Sequence, residues 1–310
     1  MGAWRFFHQY LRLTGLPIVV ELASVCNARC VWCWMYYTGR KPMGLMAREK
    51  FEELVASNMP LFRRNFILPY YRGEPLLHPQ FAEMLEFAAA KGCRFSDIHS
   101  NLSVECDLDR LLRIPIPIWV VNVGGITREV HEAVMLQSRW DVVTANLRRL
   151  LELSKKHGRT VKVKMNVTRQ NVHQVGGFPQ WLRSLGAAED CGMLGTVGLS
   201  LPALATPEET RAFVERVASA EAEPFLRFRY DPDRPDFGIR AKDRNTRCHL
   251  VMPVVKFDGR VSACCHDQLD AWVIGNAFQE NLTRILSSWR YRAAAVKAKL
   301  RRHAICRECN

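Results

Sequence analysis

The sequence predicts an α/β fold over its first two-thirds, on three observations. Short β-branched and aliphatic runs alternate with longer amphipathic segments. Hydrophobic residues make up 48% and charged residues 24% of the 310-residue chain, ordinary values that exclude disorder, collagen-like and coiled-coil architectures. No run approaches the ~18–20 consecutive apolar residues of a membrane-spanning helix. In order, Ile18–Leu22 reads as a buried strand, followed by a loop rich in cysteine and aromatic residues. Arg48–Val55 reads as a helix, Phe66–Pro69 as a strand, and Gln80–Ala90 as a helix stopped by Lys91-Gly92. Phe95–His99 and Ile118–Val123 are the third and fourth strands. Trp140–Lys156 is a long helix with Val143, Leu147, Leu150 and Leu151 at helical spacing. Val161–Val167 is a strand, Gln180–Leu185 a helix and Gly195–Leu201 the sixth strand; Pro207–Ala220 adds a further helix.

Six strands separated by helices imply a parallel sheet with right-handed crossovers, here a partial (β/α)6 TIM-like barrel. Strands buried on both faces explain why they are apolar runs rather than alternations. The texture changes at Ala222–Thr246, which is rich in Pro, Asp and Arg and carries turn signals at Asp231-Pro232 and Arg234-Pro235. The domain boundary is placed here, with residues 1–220 as the barrel and 221–310 as a small α+β domain. In the latter, Val254–Phe257 and Val261–Ala263 form a hairpin around Asp258-Gly259. A last helix runs from about Leu282 to Arg301.

Trp4 to Leu16 is interrupted by Arg5, His8 and Arg12 and lacks a small-residue cleavage site, so it is no secretory signal. The expected compartment is the cytoplasm. Eleven cysteines in a reducing compartment favour metal binding or thiol chemistry over a disulfide framework. The net charge of +13 favours an acidic partner. Part of it is local: from Arg284 to His303 there are seven Lys or Arg residues and no acid, which by itself also describes a solvated helix face.

Cys26, Cys30 and Cys33 stand in a C-x3-C-x2-C pattern directly after the first strand. Three thiolates on one loop can grip three corners of a cubane iron–sulfur cluster and leave the fourth iron open. The alternatives are a structural zinc site, which wants four ligands, or three unrelated buried cysteines. The motif, with Trp32 just before its last cysteine, resembles that of the radical S-adenosylmethionine (SAM) enzymes. The resemblance implies that the open iron chelates SAM, and that the reduced cluster cleaves it to methionine and a 5′-deoxyadenosyl radical. Arg72-Gly73-Glu74-Pro75 at the end of the second strand resembles that family's Gly-Gly-Glu-Pro segment, which meets the cofactor's amino group; Arg72 departs from it. By the same resemblance Ser100, Asn101, Asn122 and Asn166 match ribose and carboxylate contacts, and the backbone near Leu199 matches an adenine contact. Each is otherwise a strand-end capping residue.

A second constellation comprises Cys248, Cys264 with Cys265, Cys306 and Cys309. Ten residues separate Cys248 from Gly259 and four separate Gly259 from Cys264; Cys306 and Cys309 form C-x2-C. Four thiolates close a tetrahedral zinc site or a complete cluster equally well. The spacing resembles the SPASM/twitch auxiliary-cluster domains appended to radical SAM enzymes, in their shorter single-cluster form. That resemblance implies a second 4Fe–4S cluster on Cys248, Cys264, Cys306 and Cys309, with Cys265 the ambiguous neighbour. Cys93, Cys106 and Cys191 have no recognisable partners and read as structural.

The expected function is radical SAM chemistry on a small polar metabolite, an aminocyclitol, sugar or sugar nucleotide, through oxidation, epimerisation or rearrangement. The positive charge would suit an anionic substrate or an acidic flavodoxin or ferredoxin delivering the electron. The alternative is a maturase of a ribosomally made peptide. Only twenty-five residues precede Cys26, too few for a leader-gripping winged helix, so this reading uses a separate leader-binding partner. A basic nucleic-acid-associated protein is the third reading, without aromatic–basic interleaving to support it. Candidate general bases are His131, His266, Asp267 and Arg72, each also readable as a satisfied structural residue.

Overall fold

The computed structural model describes residues 15–33, 43–197, 206–231, 240–241, 252–267, 270–300 and 302. The chain enters through β1 (Pro17–Val20), and the cysteine loop contributes a short strand, β2 (Arg29–Cys30). Helices α1 (Arg48–Ser57) and α2 (Met59–Arg64) lead to β3 (Phe66–Leu68), and α3 (Phe81–Ala90) leads to β4 (Arg94–Phe95) and β5 (Asp97–Ser100). After α4 (Leu108–Arg113) come β6 (Ile118–Val123), α5 (Arg128–Val134), β7 (Met135–Leu136), α6 (Trp140–His157) and β8 (Thr160–Asn166). Helix α7 (Phe178–Ser184), β9 (Gly192–Gly195) and α8 (Pro207–Val217) follow. Beyond them lie β10 (Phe228–Arg229), β11 (Arg240–Ala241), β12 (Val254–Val255), β13 (Arg260–Ser262), β14 (Val273–Asn276), α9 (Leu282–Ser287) and α10 (Trp289–Lys299).

Strands β1, β3 and β4 pair in parallel, as do β5, β6, β8 and β9. The expected third strand is thus two strands that pair with different neighbours. At Ser96, whose N–H donates to Ile67 O at 3.1 Å, the chain leaves the partnership with β3, and Asp97 then pairs with Ile118. That exchange turns the corner between the two sheets and gives the open, TIM-like barrel. The sixth strand lies earlier than expected: β9 pairs with β8 from Val163↔Gly192 to Asn166↔Gly195. Its exposed Met193 and Leu194 mark an edge strand, which hides it from a search for buried runs. The sequence from 198 to Leu201, including Leu199, lies outside the described residues, as do Cys248, Cys306 and Cys309.

The C-terminal hairpin joins the barrel sheet, because β12 pairs in parallel with β1 (Val19↔Val254). Strands β13 and β14 extend it antiparallel, giving the order β14-β13-β12-β1-β3-β4. Gly259 turns the hairpin at φ +84°, a region open chiefly to glycine. The single last helix expected from sequence is two helices. Ser288 ends α9 and restarts the chain, its hydroxyl accepting the Tyr291 N–H at 3.3 Å.

Alternation within the strands divides their side chains between two environments. Ile18, Val20, Ile67, Phe95, Val121 and Val163 pack outward against Phe51, Met84, Leu111 and Leu147 of the helices. Burying such a side chain is worth about 1.5–3 kcal/mol, so this shell carries the barrel. Val19, Leu68 and Val254 form a separate small cluster with Tyr70, Tyr71 and Cys265. Among the described residues no helix is long and apolar enough to cross a membrane.

Candidate functional site

One cavity of about 460 Å³ opens at the carboxyl ends of the barrel strands, where such folds build their sites. It brings together Cys26, Cys30, Trp32 and Cys33 with Gly73, Glu74, Ser100, Asn101, Asn122 and Asn166. These residues come from five separate stretches of chain. Pro75 does not line the cavity; it is buried and opens the short 3-10 turn that follows Glu74.

The cysteine loop is held from both sides. Arg29 and Cys30 of β2 pair antiparallel with Leu136 and Met135 of β7, and Val31 N–H donates to Val134 O at 2.9 Å. Cys33 N–H closes a turn on Cys30 O at 2.9 Å. Asn27 donates to Ser103 O at 2.7 Å, and Asn101 Nδ2 donates to Asn27 Oδ1 at 2.9 Å and reaches Cys26 Sγ at 3.9 Å. Leu102 follows at φ +51°, a strained backbone for a branched residue. Trp32 is half-buried against the cluster of Val31, Val134, Val197 and Phe213 while lining the cavity.

Gly73 sits where no larger residue fits: a Cβ there would lie 2.5 Å from Ala23 O and 2.4 Å from Val25 O. That approach lets Glu74 N–H donate to Val25 O at 2.8 Å, locking the segment to the residue before Cys26. The Glu74 carboxylate accepts from Leu76 N at 3.2 Å, Ser100 Oγ at 2.8 Å and Asn101 N at 2.7 Å. Burial pushes its carboxyl up to about 7, against the pull of these three hydrogen bonds. Glu74 therefore ties the ends of β3 and β5 together, and its oxygens are already engaged within the protein.

The sulfurs suit an iron–sulfur cluster. Burial, then the neighbouring Cys33 and Cys26, push the Cys30 thiol well above its ordinary value. Three mutually repelling sulfurs in such surroundings ionise comfortably only around a cation. Among the described residues no three His, Cys, Asp or Glu side chains converge on the position of a single metal ion. A cubane, by contrast, spreads its thiolate ligands over separate irons.

Three cavity residues, Tyr70, His99 and Lys164, carry chemistry that the sequence reading missed. Tyr70 donates to Asp97 at 2.6 Å and stacks on His99 at 4.6 Å; His99 Nε2 lies 3.2 Å from Asp97. Lys164 lines the wall from β8, and burial, then the nearby Arg227, lowers its pKa. His99 directly precedes Ser100, so strand-end position was the available signal; for Lys164 the signal was the alternation Lys162, Lys164, Asn166, which puts it on the same strand face as Asn166. The proposed general bases are engaged elsewhere. His131 is buried between Gly124 N (3.2 Å) and Ser138 Oγ (2.9 Å), and burial lowers its pKa to about 4. Asp267 accepts from Ser262, Ala271 N and Trp272 N. His266 is exposed beside the cysteine pair, its N–H 3.4 Å from Cys264 Sγ.

Arg72 is bound in a buried ion network. Its Nε and Nη2 fork onto Glu21 at 2.8 and 2.9 Å, and Nη1 reaches Asp270 at 3.1 Å. Lys256, fully buried, donates to Asp267 O at 2.9 Å and to Asp270. Tyr71 donates to Cys265 O at 2.9 Å. The residues just ahead of Gly73 thus reach the Cys264-Cys265 turn directly. Cys264 is buried and its thiol is pushed up by the hydrogen bond with Cys265 and by burial. Of the other cysteines, Cys93 and Cys191 are buried in the main core and Cys106 packs against it.

This fold and this cysteine-lined cavity are similar to those of the radical SAM class. Residues 248–310 match the SPASM iron–sulfur cluster-binding domain. Curated relatives include mycofactocin maturase MftC of Mycobacterium tuberculosis, 26% identical over 189 residues, covering 59% of this chain and 46% of that protein. The chain therefore spans about half the length of the curated relatives it matches. Similar solved structures include Streptococcus suis SuiB bound to precursor peptide SuiA (TM-score 0.63, 12% identity, 94% of this chain and 69% of that one). Another is anSMEcpe with bound AdoMet (TM-score 0.62, 16% identity, 91% and 83%). Residues 248–310 thus form a SPASM iron–sulfur domain, and the fold and cysteine motif ahead of it are similar to those of radical SAM proteins, whose cofactors, SAM and 4Fe–4S clusters, the cysteines present would suit.

Proposed function

We propose that the protein is a radical SAM maturase that modifies a peptide. The observation that carries the radical chemistry is the single cavity shared by the Cys26–Cys33 loop, Gly73-Glu74 and the ends of β5, β6 and β8. When bound, the cluster and SAM supply one-electron cleavage of the sulfonium and removal of a hydrogen atom from substrate. Cys26, Cys30 and Cys33 hold the cluster. Glu74 and Asn101 fix the loop and strand ends around it, and the backbone at Gly73 receives the cofactor's amino group. Ser100, Asn122 and Asn166 orient its ribose and carboxylate. Cys264, with Cys248, Cys306 and Cys309, holds the auxiliary cluster.

The peptide reading stands ahead of the small-metabolite reading because the similar proteins include a maturase and two proteins seen with peptides. A small anionic metabolite stays as the second reading, favoured by Lys164, a cation that pairs with no carboxylate among the described residues. An acidic flavodoxin or ferredoxin would be steered by the net charge, and the cytoplasm is the compartment that keeps these thiols reduced. The test is anaerobic incubation of reconstituted, reduced protein with SAM and peptides encoded beside its gene. A peptide mass change dependent on SAM and on Cys26, Cys30 and Cys33 is expected. Turnover of a sugar or aminocyclitol, with every such peptide unchanged, would replace this reading with the second.

A further inference from the structure

The basic C-terminal segment has a place in the fold that the cavity does not explain. Strand β14 ends its sheet, and no strand pairs with its outer edge among the described residues. A groove of about 480 Å³ runs beside it. Four consecutive residues, Trp272 to Gly275, line that groove. Successive side chains of a strand point to opposite faces, so four in a row mean that the strand presents its edge. The opposite wall is one face of α10: Trp289, Ala293 and Lys297, with Arg290 and Ala294. Trp289 is 76% exposed, the largest exposure among the big hydrophobic residues described. No acidic residue lines the groove, and none occurs in α10, which also carries Arg292 and Lys299.

An open strand edge is satisfied by another extended backbone, as in β-strand addition. An indole at one end and a row of cations along the wall suit a segment with acidic and apolar side chains. A nucleic acid would use the cations but not the strand edge, and one tryptophan is no stacking platform. A second copy of this chain would bring the same cations against themselves. We propose that the groove between β14 and α10 docks an acidic peptide segment in extended conformation, added as a strand to β14. Its role as the grip on a substrate peptide or its carrier rests on the maturase reading; the binding itself does not.

The test uses the full, anaerobically reconstituted chain and a fluorescein-labelled peptide of alternating Glu and Val, read by anisotropy at low salt. The controls are the same peptide with Pro at alternate positions, which cannot donate to a strand ladder, and a labelled single-stranded oligonucleotide. Binding that weakens with salt, falls at least about tenfold in Trp289→Ala and in the Arg290→Glu, Lys297→Glu pair, and is lost for the Pro peptide is the expected result. Equal binding of the Pro peptide would reduce the groove to a charge patch. Binding unchanged by the substitutions, or absent altogether, would overturn the assignment. Preferential binding of the oligonucleotide, lost in Trp289→Ala, would replace it with a nucleic-acid site. Formation of 5′-deoxyadenosine by the same variants, expected unchanged, separates failure of the groove from failure of the radical chemistry.

Discussion

Gly73→Ala places one methyl group against two backbone carbonyls, and the consequences can be worked through. Its Cβ would stand 2.4 Å from Val25 O and 2.5 Å from Ala23 O, whereas ordinary contact begins at 3.4 Å. The segment must therefore open by about 1 Å, against backbone rather than a movable side chain. Overpacking of this kind costs about 1–3 kcal/mol, and weakening the Glu74 N–H to Val25 O bond adds about 1 kcal/mol. Val25 precedes Cys26, so the movement reaches the first cysteine of the loop. A misplacement of about 1 Å can cost around a hundredfold in rate. The assay is 5′-deoxyadenosine formation by reduced, reconstituted protein, with iron content and thermal melting measured on the same sample. Gly73→Ala should retain most of its iron, melt earlier and lose about a hundredfold in cleavage rate. Gly92→Ala is the control. Its backbone lies in the left-handed region at φ +81°, which Gly73's does not, but an added Cβ finds only Arg63 Nε at 3.8 Å. It should lower stability without touching cleavage. Normal cleavage by Gly73→Ala would refute the reasoning.

Three further outcomes are expected. Glu74 holds its proton up to about pH 7 in the folded protein against an ordinary 4.5. The stability it contributes is therefore full below about pH 4.5 and lost as pH rises through 7, about 3 kcal/mol in all. Denaturant titrations of the cluster-free protein should show wild type losing this much relative to Glu74→Gln across that range; a pH-independent difference would contradict the burial argument. Arg72→Met strands the fully buried Glu21 carboxylate and should cost about 3–5 kcal/mol. Lys256→Met leaves Asp270 with Arg72 and Arg260 and should cost less, so the reverse order by chemical denaturation would count against the network. Finally, iron and sulfide analysis should approach about eight iron atoms per chain, four for each cluster, whereas four irons with one zinc would make the C-terminal cysteines a zinc site.

The barrel was legible because its strands are apolar runs separated by amphipathic helices, and β1, β3, β6, β8 and α6 fall within a few residues of expectation. The departures have physical causes. The chain at Ser96 changes partners without changing its extended conformation, which no local pattern records. Edge strand β9 is exposed, and Ser288 divides a helix through one capping hydroxyl. The cysteine loop was legible from spacing alone. The buried network of Glu21, Arg72, Lys256 and Asp270 was not, because its members are up to 249 positions apart in the sequence and each alone reads as a surface charge. His99 and Lys164 were hidden for a related reason: a polar residue on a strand reads as solvent-facing until the neighbouring strands show that its face lines a cavity.

The central claim is that the Cys26, Cys30 and Cys33 loop supports reductive cleavage of SAM in the cavity it shares with Glu74. The most direct measurement is 5′-deoxyadenosine formed by anaerobically reconstituted, dithionite-reduced protein, wild type beside the variant with all three cysteines changed to alanine. The account predicts product from the wild type and none from the variant, with the variant retaining the iron of the C-terminal domain. No product from iron-replete wild type, or equal product from the variant, would contradict it.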